Sequence, residues 1–556
     1  MSRVAVLGFG AVSALGEGAS AVSAGEVGEP ARVGIARDVE LEAAGLAKPF
    51  AGRARVGGAP AAVGRETSLL LAALRGCVTD LDRVRPAWRR ERVGMVLGTS
   101  AGSMRAADAA FVAIAGGAAV SDPERPTYFG PLAVAARELG VTVDPSVLVL
   151  GACASSAIAI GVGARWLERG ACDVLLAGGF DDVTVFVAAG FEALRATTAA
   201  PPPRPFRVGR DGMSLGEGAA VLALARAAEA GGASVSGYVS GFSAASDAVH
   251  LTAPDRAGSG LARAAQSALG EAGAPPIDLV GAHATATPFN DASESRAMAR
   301  ALGAAASRDA VVHPFKAQVG HTLGAAGALE ALACLDAMSR GLLPAAAGEG
   351  SVDPDAPARL LSRASRGAPR AALKLASAFG GANAAIVLTT EASARPRGFR
   401  PAFLHGSAHV DEEPPLDELA ARAGTSADRL ARADSLVRLA ITAVALLRER
   451  GQAPSGPSAG VVVGTAFATF ETNARFSRRL RERGATFVEP RLFPYTSPNA
   501  VAGECSIVFG LAGPSFSVGG GIHAGVEALA MGALLVESGD ADSVVVVAVD
   551  DVGPVT

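Results

Sequence analysis

An internal repeat constrains this chain more than any other feature. Residues 145–183 align without a gap onto residues 514–552, so that position 153 falls on position 522. Pro145-Ser146 recurs as Pro514-Ser515, Gly163-Ala164 as Gly532-Ala533, Gly170 as Gly539, Asp173 as Asp542, and Asp181-Asp182-Val183 as Asp550-Asp551-Val552. Further upstream, Gly98-Thr99 resembles Gly464-Thr465. Helices rich in Ala and Val resemble one another by chance, but a gapless match through strand, turn, helix and next strand marks a duplicated unit.

The first 390 or so residues read as short buried strands (93–97, 147–150, 174–177, 220–224, 279–282 and 373–376) alternating with helical stretches such as 155–169 and 258–272. That alternation predicts a mostly parallel sheet covered by helices. Aromatic residues make up only 5% of the chain, so Ala, Val and Leu must build the core. Such small apolar residues suit helices packed closely on a buried sheet. Residues 391–401 (EASARPRGFRP) lose apolar periodicity and are the best linker candidate.

Composition excludes several classes. With 50% hydrophobic and 19% charged residues, the chain is not collagenous, mucin-like or largely disordered. A net charge of −4 gives no footprint for nucleic acid or an anionic membrane. The five cysteines (77, 153, 172, 334 and 505) are scattered without a CxxC pair. This argues against a disulfide framework or a cysteine zinc site, and a reducing cytoplasm is the expected compartment. The apolar segment 4–15 follows Arg3 like a secretory leader, but its early glycines read better as a first strand entering a turn. No membrane-spanning helix is expected.

Four segments carry residues suited to chemistry. In Val147-Leu-Val-Leu-Gly-Ala-Cys-Ala-Ser-Ser, Cys153 stands where a strand enters a helix. A helix N-terminus favours thiolate over thiol, although a small buried cysteine is an equally common reading of such a segment. His283 follows an apolar strand in Gly281-Ala-His-Ala-Thr-Ala-Thr, where Thr285 and Thr287 offer hydroxyls; alone, it reads as a core histidine. Lys316 lies five residues before His321, in a glycine-rich turn opening a helix that carries Glu330. Lysine occurs only at positions 48, 316 and 374. A lysine can order an imidazole or carboxylate as a compact point charge, or simply sit at the surface beside a packing turn. Finally, Ser377-Ala-Phe-Gly-Gly-Ala-Asn can form a tight loop whose inward N–H groups serve an oxyanion, with Phe379 gating a pocket.

Together, these ordered motifs resemble the β-ketoacyl synthases of the thiolase superfamily, in their elongating Cys-His-His branch. The resemblance covers residues 1 to about 390 and includes the RPF…RDG…LGEGA stretch at 204–219. It implies a layered αβαβα, thiolase-like α/β fold with duplicated mixed or parallel sheets. It also implies an N-terminal half at 1–230 bearing Cys153 and a C-terminal half at 231–390 bearing His283 and His321. In that reading Cys153 accepts an acyl group from a thioester, and a malonyl thioester then loses CO₂ and condenses with it. His283 and His321 serve the enolate oxygen, backbone N–H groups of Cys153 and Phe379 form the oxyanion hole, and Lys316 and Glu330 orient the histidines. Thr285 and Thr287 match positions that bind the pantetheine arm. The implied partner is an acyl carrier protein whose phosphopantetheine holds the substrates, with no metal or other cofactor. A non-catalytic, chain-length-factor-like partner of another synthase is the alternative, and a decarboxylase that does not condense is a third reading.

Three departures stand out. Ala284 and Ala286 replace the two glycines of the family motif. Arg207 follows Pro-Phe where the family has aspartate, forming with Arg204 and Arg210 a basic cluster that either meets an acidic carrier or is a solvated loop. In the second copy Ile522 occupies the position of Cys153, His523 is one residue off, and no second His or Lys motif follows. Residues 402–556 are thus expected to be a nucleophile-free N-terminal-type half, similar to part of a chain-length factor. It is expected either to dock on the Cys153 half as a built-in partner (an intramolecular pseudo-dimer), or to hang at the edge of a homodimer.

Overall fold

The computed structural model describes residues 4–57, 63–230, 235–392 and 398–556. Part of the expected linker (393–397) and the expected boundary between the first two halves (231–234) lie outside the described residues. Thirteen strands follow one path through a 14-stranded sheet. In chain order these are β1 Val4–Ser13, β2 Val93–Gly98, β3 Val143–Leu150, β4 Val174–Asp181, β5 Gly218–Arg226, β6 Gly237–Ser246 and β7 Leu279–Gly281. They continue with β8 Val311–His313, β9 Ala371–Ser377, β10 Ala382–Thr389, β11 Ala459–Gly464, β12 Ser515–Gly519 and β13 Ser543–Ala548. The spatial order is β8-β7-β9-β10-β6-β1-β5-β4-β2-β3-β12-β11-β13. Five helices matter for the site: α1 Ser155–Arg169, α2 Pro288–Leu302, α3 Ala326–Ser339, α4 Phe470–Arg483 and α5 Ala524–Glu537.

The segment that resembled a leader is β1, buried between β5 and β6. All six expected strands form. The expectation of a mostly parallel sheet needs correction, because six neighbour pairs on the path are parallel and six antiparallel. Strand–helix alternation registers the crossovers, which make parallel pairs, but not the strands that return beside them. Among those returning strands, β6 (GYVSGFSAAS) is rich in Gly, Ser and Ala and carries little strand signature.

Helices α1 and α3 are buried on nearly every side, and both touch strands on either side of the β1–β6 junction. Their apolar side chains share one core with Leu175, Leu222, Ile386 and Leu388. The two helices approach closely because Gly327 has no side chain: a Cβ there would stand 2.5 Å from the Ala157 nitrogen. This central helix pair holds the nucleophile turn at the head of α1 against the turn Leu323–Ala325 that follows His321.

The repeat is preserved in three dimensions. Strand order β3-β2-β4 recurs as β12-β11-β13, and α5 begins at the position equivalent to the start of α1. Gly98 and Gly464 each let a strand pass under its helix, since a Cβ would meet Ser155 carbon at 2.5 Å in one copy and Ala524 oxygen at 2.2 Å in the other. The copies join through β3 and β12. Val149 pairs antiparallel with Val518, flanked by Leu148–Gly519 and Leu150–Ser517.

Candidate active site

Strand β3 ends at Leu150, and Ala152 turns the chain with a positive φ of 47°. Cys153 sits in the 3-10 turn Ala152–Ala154 that opens α1, and Ser155 Oγ pins the turn by accepting the Gly151 N–H at 2.9 Å. The helix N-terminus does not prevail here. Burial pushes the Cys153 thiol up to about 12, only partly offset by the Lys316 charge, so the resting group is a thiol and not the thiolate expected from position alone.

His283 and His321 come from two different loops, yet their rings stand edge to face with centroids 5.5 Å apart. Burial, then the nearby Lys316 charge, holds both imidazoles well below their ordinary pKa, so both are neutral. The Leu323 N–H donates to His321 Nδ1 at 3.2 Å. Lys316 Nζ stands 3.3 Å from His283 Nδ1 and donates to it when charged. With Nδ1 accepting on each ring, the proton resides on Nε2 in both. The pair is therefore a set of two neutral N–H donors.

Lys316 Nζ donates to Glu330 Oε1 at 2.5 Å. A residue outside the expected set joins them: Lys374, on β9, lies 2.8 Å from Glu330 Oε2 while its N–H reaches the Leu375 carbonyl. Two buried cations thus flank one buried carboxylate beneath the histidines. Glu294, on α2, is a second supporting residue that the motifs did not signal. Its carboxylate accepts the His283 N–H at 2.5 Å and the Ala284 N–H at 2.8 Å. It fixes the turn in which Ala284 and Ala286 adopt positive φ values of 49° and 57°. That backbone explains why glycine suits these positions.

The 204–219 stretch braces both histidine loops through its backbone. The Gly212 N–H donates to the Ala286 carbonyl, the His321 N–H to the Ser214 carbonyl, and the Gly216 N–H to the His321 carbonyl. Asp181 ties the loop after β2 to the His321 turn, accepting the Thr99 hydroxyl and the N–H groups of Ser100, Ala101 and Gly324. Thr285 is buried beyond His283, with its hydroxyl 3.1 Å from that of the half-buried Thr287, which caps α2. The basic-cluster reading needs correction. Arg207 and Arg210 are buried, the first donating to the Gly348 carbonyl and the second paired with Asp353 at 2.5 Å, so neither offers free charge to a partner.

A narrow cavity of about 40 Å³ lies beside Cys153, walled by Met104, Phe186, Phe191, Phe379, Phe493 and Thr496. The last two belong to the second copy. Phe493 meets Phe191 edge-on at 5.1 Å, Phe191 lies 5.7 Å from Phe379, and Asn499 Nδ2 donates to the Phe379 carbonyl at 2.6 Å. Gly380 and Gly381 turn the Phe379 loop with φ of 80° and 74°. Among the described residues, no group of three or more His, Cys, Asp or Glu is placed to hold a metal ion. Nor is any helix among them long and apolar enough to cross a membrane.

Residues 59–230 and again 405–555 match the family model for the beta-ketoacyl synthase N-terminal domain, and residues 236–348 match that for its C-terminal domain. The chain belongs to the beta-ketoacyl synthase family of condensing acyltransferases. It is 32% identical over 357 residues to the tetracenomycin polyketide synthase ketoacyl synthase alpha subunit of Streptomyces glaucescens, covering 60% of this chain and 82% of that protein. It is 32% identical over 284 residues to 3-oxoacyl-[acyl-carrier-protein] synthase 2 of Staphylococcus aureus, covering 48% of this chain and 69% of the relative. A beta-ketoacyl synthase from Burkholderia phymatum superposes with a TM-score of 0.63 at 29% identity, over 70% of this chain and all of that one. The PfaC keto synthase–chain length factor matches in fold over 99% of this chain and 74% of its own, with a TM-score of 0.78 at 17% identity.

Proposed function

We propose that this chain is a 3-oxoacyl-[acyl-carrier-protein] synthase that condenses a Cys153-bound acyl group with a malonyl-carrier thioester. The observation that carries this reading is the pair of neutral Nε2–H imidazoles in the site of a buried cysteine. In the first step the Cys153 sulfur attacks the acyl thioester carbonyl and the pantetheine thiol departs. The proton lost by Cys153 ends on that leaving sulfur, so a thiol with a raised pKa suffices as the resting form. Backbone N–H groups of Cys153 and Phe379 serve the tetrahedral oxyanion. Malonyl thioester then enters and its C–C bond to CO₂ breaks. The electron pair left behind is held as an enolate by the His283 and His321 donors, and charged histidines would be poorer partners for a site that must release the product. The enolate carbon attacks the acyl–Cys153 carbonyl, and the sulfur leaves as thiolate, taking a proton from solvent to restore the resting thiol.

Lys316, Glu330 and Lys374 are positioning residues in this scheme, and Thr285 and Thr287 bind the pantetheine amides. Residues 402–556 act as the built-in partner; the Val149–Val518 ladder and the place of Phe493 and Thr496 in the cavity wall support that role. An acidic carrier has its best charge match on this half-copy. Arg475, Arg478, Arg483 and Arg491 are exposed on and beyond α4 and make no ion pair among the described residues. The same helix places Phe476 4.6 Å from Phe186 in the cavity wall. The test is intact-mass detection of an acyl adduct after incubation with acyl-carrier thioesters. An adduct abolished by Cys153→Ala is expected; no adduct at any chain length would favour the non-catalytic partner role.

A further inference from the structure

The Phe379 turn is held from two parts of the chain. Residues Ala378–Gly381 close with the Gly381 N–H on the Ala378 carbonyl at 3.2 Å, and Gly380 has φ 80° and ψ −3°. These angles are those of the third position of a type II turn, where glycine is favoured. The peptide unit between Phe379 and Gly380 is pinned at both ends. Its N–H donates to the Leu251 carbonyl at 2.6 Å, within the half that carries the turn. Its carbonyl accepts Asn499 Nδ2 of the half-copy, also at 2.6 Å. Type II and type I turns differ by rotation of this one peptide unit, so the two bonds together fix the turn.

Asn499 is itself held for this contact. It is buried, and the Ser497 hydroxyl donates to its Oδ1 at 2.7 Å, which leaves Nδ2 to face the turn. The helix Ala500–Phe509 that follows brings Gly503 against Gly380, since a Cβ on Gly503 would stand 2.5 Å from the Gly380 Cα. The repeat supplies a comparison. The helices Gly130–Leu139 and Ala500–Phe509 each have ten residues and end at a left-handed glycine, Gly140 and Gly510. Phe129 caps the first where Asn499 caps the second, so the first copy has no amide at this place. The Phe379 N–H, one residue before the pinned peptide, has no acceptor among the described residues. An oxyanion donor has to be free in this way, and it has to be held, because it acts at about 2.7–3.1 Å from the charged oxygen and tolerates a misplacement of only about 0.5 Å.

We infer that Asn499 is a positioning residue for the oxyanion hole, contributed by the half-copy: its amide holds the Phe379 turn so that the free Phe379 N–H stays on the acyl carbonyl at Cys153. The inference rests on the condensing role proposed above. It gives the half-copy a part in the chemistry of Cys153, beyond lining the cavity.

The test uses the full chain and two variants close in size to the parent residue: Asn499→Leu, which cannot donate, and Asn499→Asp, which donates only when protonated. Time courses of Cys153 loading, followed by intact mass over a range of acyl-carrier thioester concentrations, separate binding from reaction. In Asn499→Leu the maximal rate should fall at least tenfold with the half-saturating concentration unchanged, since the lost alignment serves the transition state. Asn499→Asp should be slow at pH 8.5 and approach the parent, compared at each pH, as the pH falls to 6, because the protonated carboxyl donates to the Phe379 carbonyl. Asn499→Leu should show no such recovery. Amide hydrogen exchange in the peptide containing Phe379–Gly381 should be at least tenfold faster in Asn499→Leu, and unchanged exchange there overturns the anchoring. A parent that loads, with Asn499→Leu loading as fast, overturns the inference and leaves the condensing role standing. A slow Asn499→Asp whose ratio to the parent is the same at every pH also overturns it, marking a packing effect. A parent that forms no adduct overturns the condensing role, and this inference with it.

Discussion

Val149 lies opposite Val518, which is its own equivalent in the repeat. Equivalent residue meets equivalent residue, so a local two-fold passes through this pair and the contact is isologous, as at the interface of a symmetric dimer. The ladder is short, spanning Leu148–Leu150 and Ser517–Gly519, but it lies in the interior of the sheet. Val518→Asp should place an unpaired carboxylate there at a cost of about 3 kcal/mol or more, and so free the β3 edge. Light scattering should then show concentration-dependent self-association, while Val518→Ala keeps the molar mass of the parent. An unchanged molar mass and melting curve for Val518→Asp would mean that the ladder does not hold the half-copy in place.

The buried Cys153 thiol, pushed up to about 12, sets a pH dependence. Thiolate is the reactive form, and below the pKa its fraction rises about tenfold per pH unit. Alkylation of Cys153 by iodoacetamide should therefore keep accelerating from pH 7 to pH 10. A plateau near pH 8 would indicate a thiolate stabilised at rest.

Glu330 compensates two buried lysines. Glu330→Gln should lower stability by about 3–5 kcal/mol at pH 7, because it leaves uncompensated buried charge. Burial alone depresses a lysine pKa, so in this variant the unfolded chain binds more protons than the folded one, and stability must rise with pH. Urea titrations at pH 7 and pH 9.5 should show the deficit shrinking at the higher value; a deficit independent of pH would refute the charge argument.

Ala284 and Ala286 hold a left-handed backbone that costs a side-chain-bearing residue about 1 kcal/mol. In Ala284→Gly that relief offsets the usual entropic penalty of glycine, about 0.5–1 kcal/mol, so the variant should be neutral or slightly stabilised. Ala530→Gly, exposed within helix α5, should instead lose about 1 kcal/mol. Equal losses in denaturant titrations would contradict the strain argument.

Phe493 closes the cavity wall from the second copy. Shortening it in Phe493→Leu should shift acyl loading toward longer chains by roughly one or two carbon–carbon units, at a folding cost below that of Phe→Ala, which is about 3–5 kcal/mol. Chain-length profiling by intact mass reads this directly. An unaltered profile would remove the half-copy from substrate selection.

Much of this protein was legible in its sequence. The repeat and its register, the strand-to-helix turn at Cys153, and the order of the His283, Lys316–His321 and Phe379 motifs are local patterns, and the backbone follows them closely. Strand β6 was not legible, since its small and polar residues owe their strand form to neighbours on both sides. The partnership of Lys374 with Glu330 was equally hidden, joining residues on a strand and a helix that no spacing relates. Arg207 and Arg210 look like free charge in the sequence and are buried in the fold. Residue types and their order were written in the chain. Protonation states, exposure, and which copy walls the cavity were decided only by tertiary packing, because desolvation and proximity depend on what distant segments bring alongside.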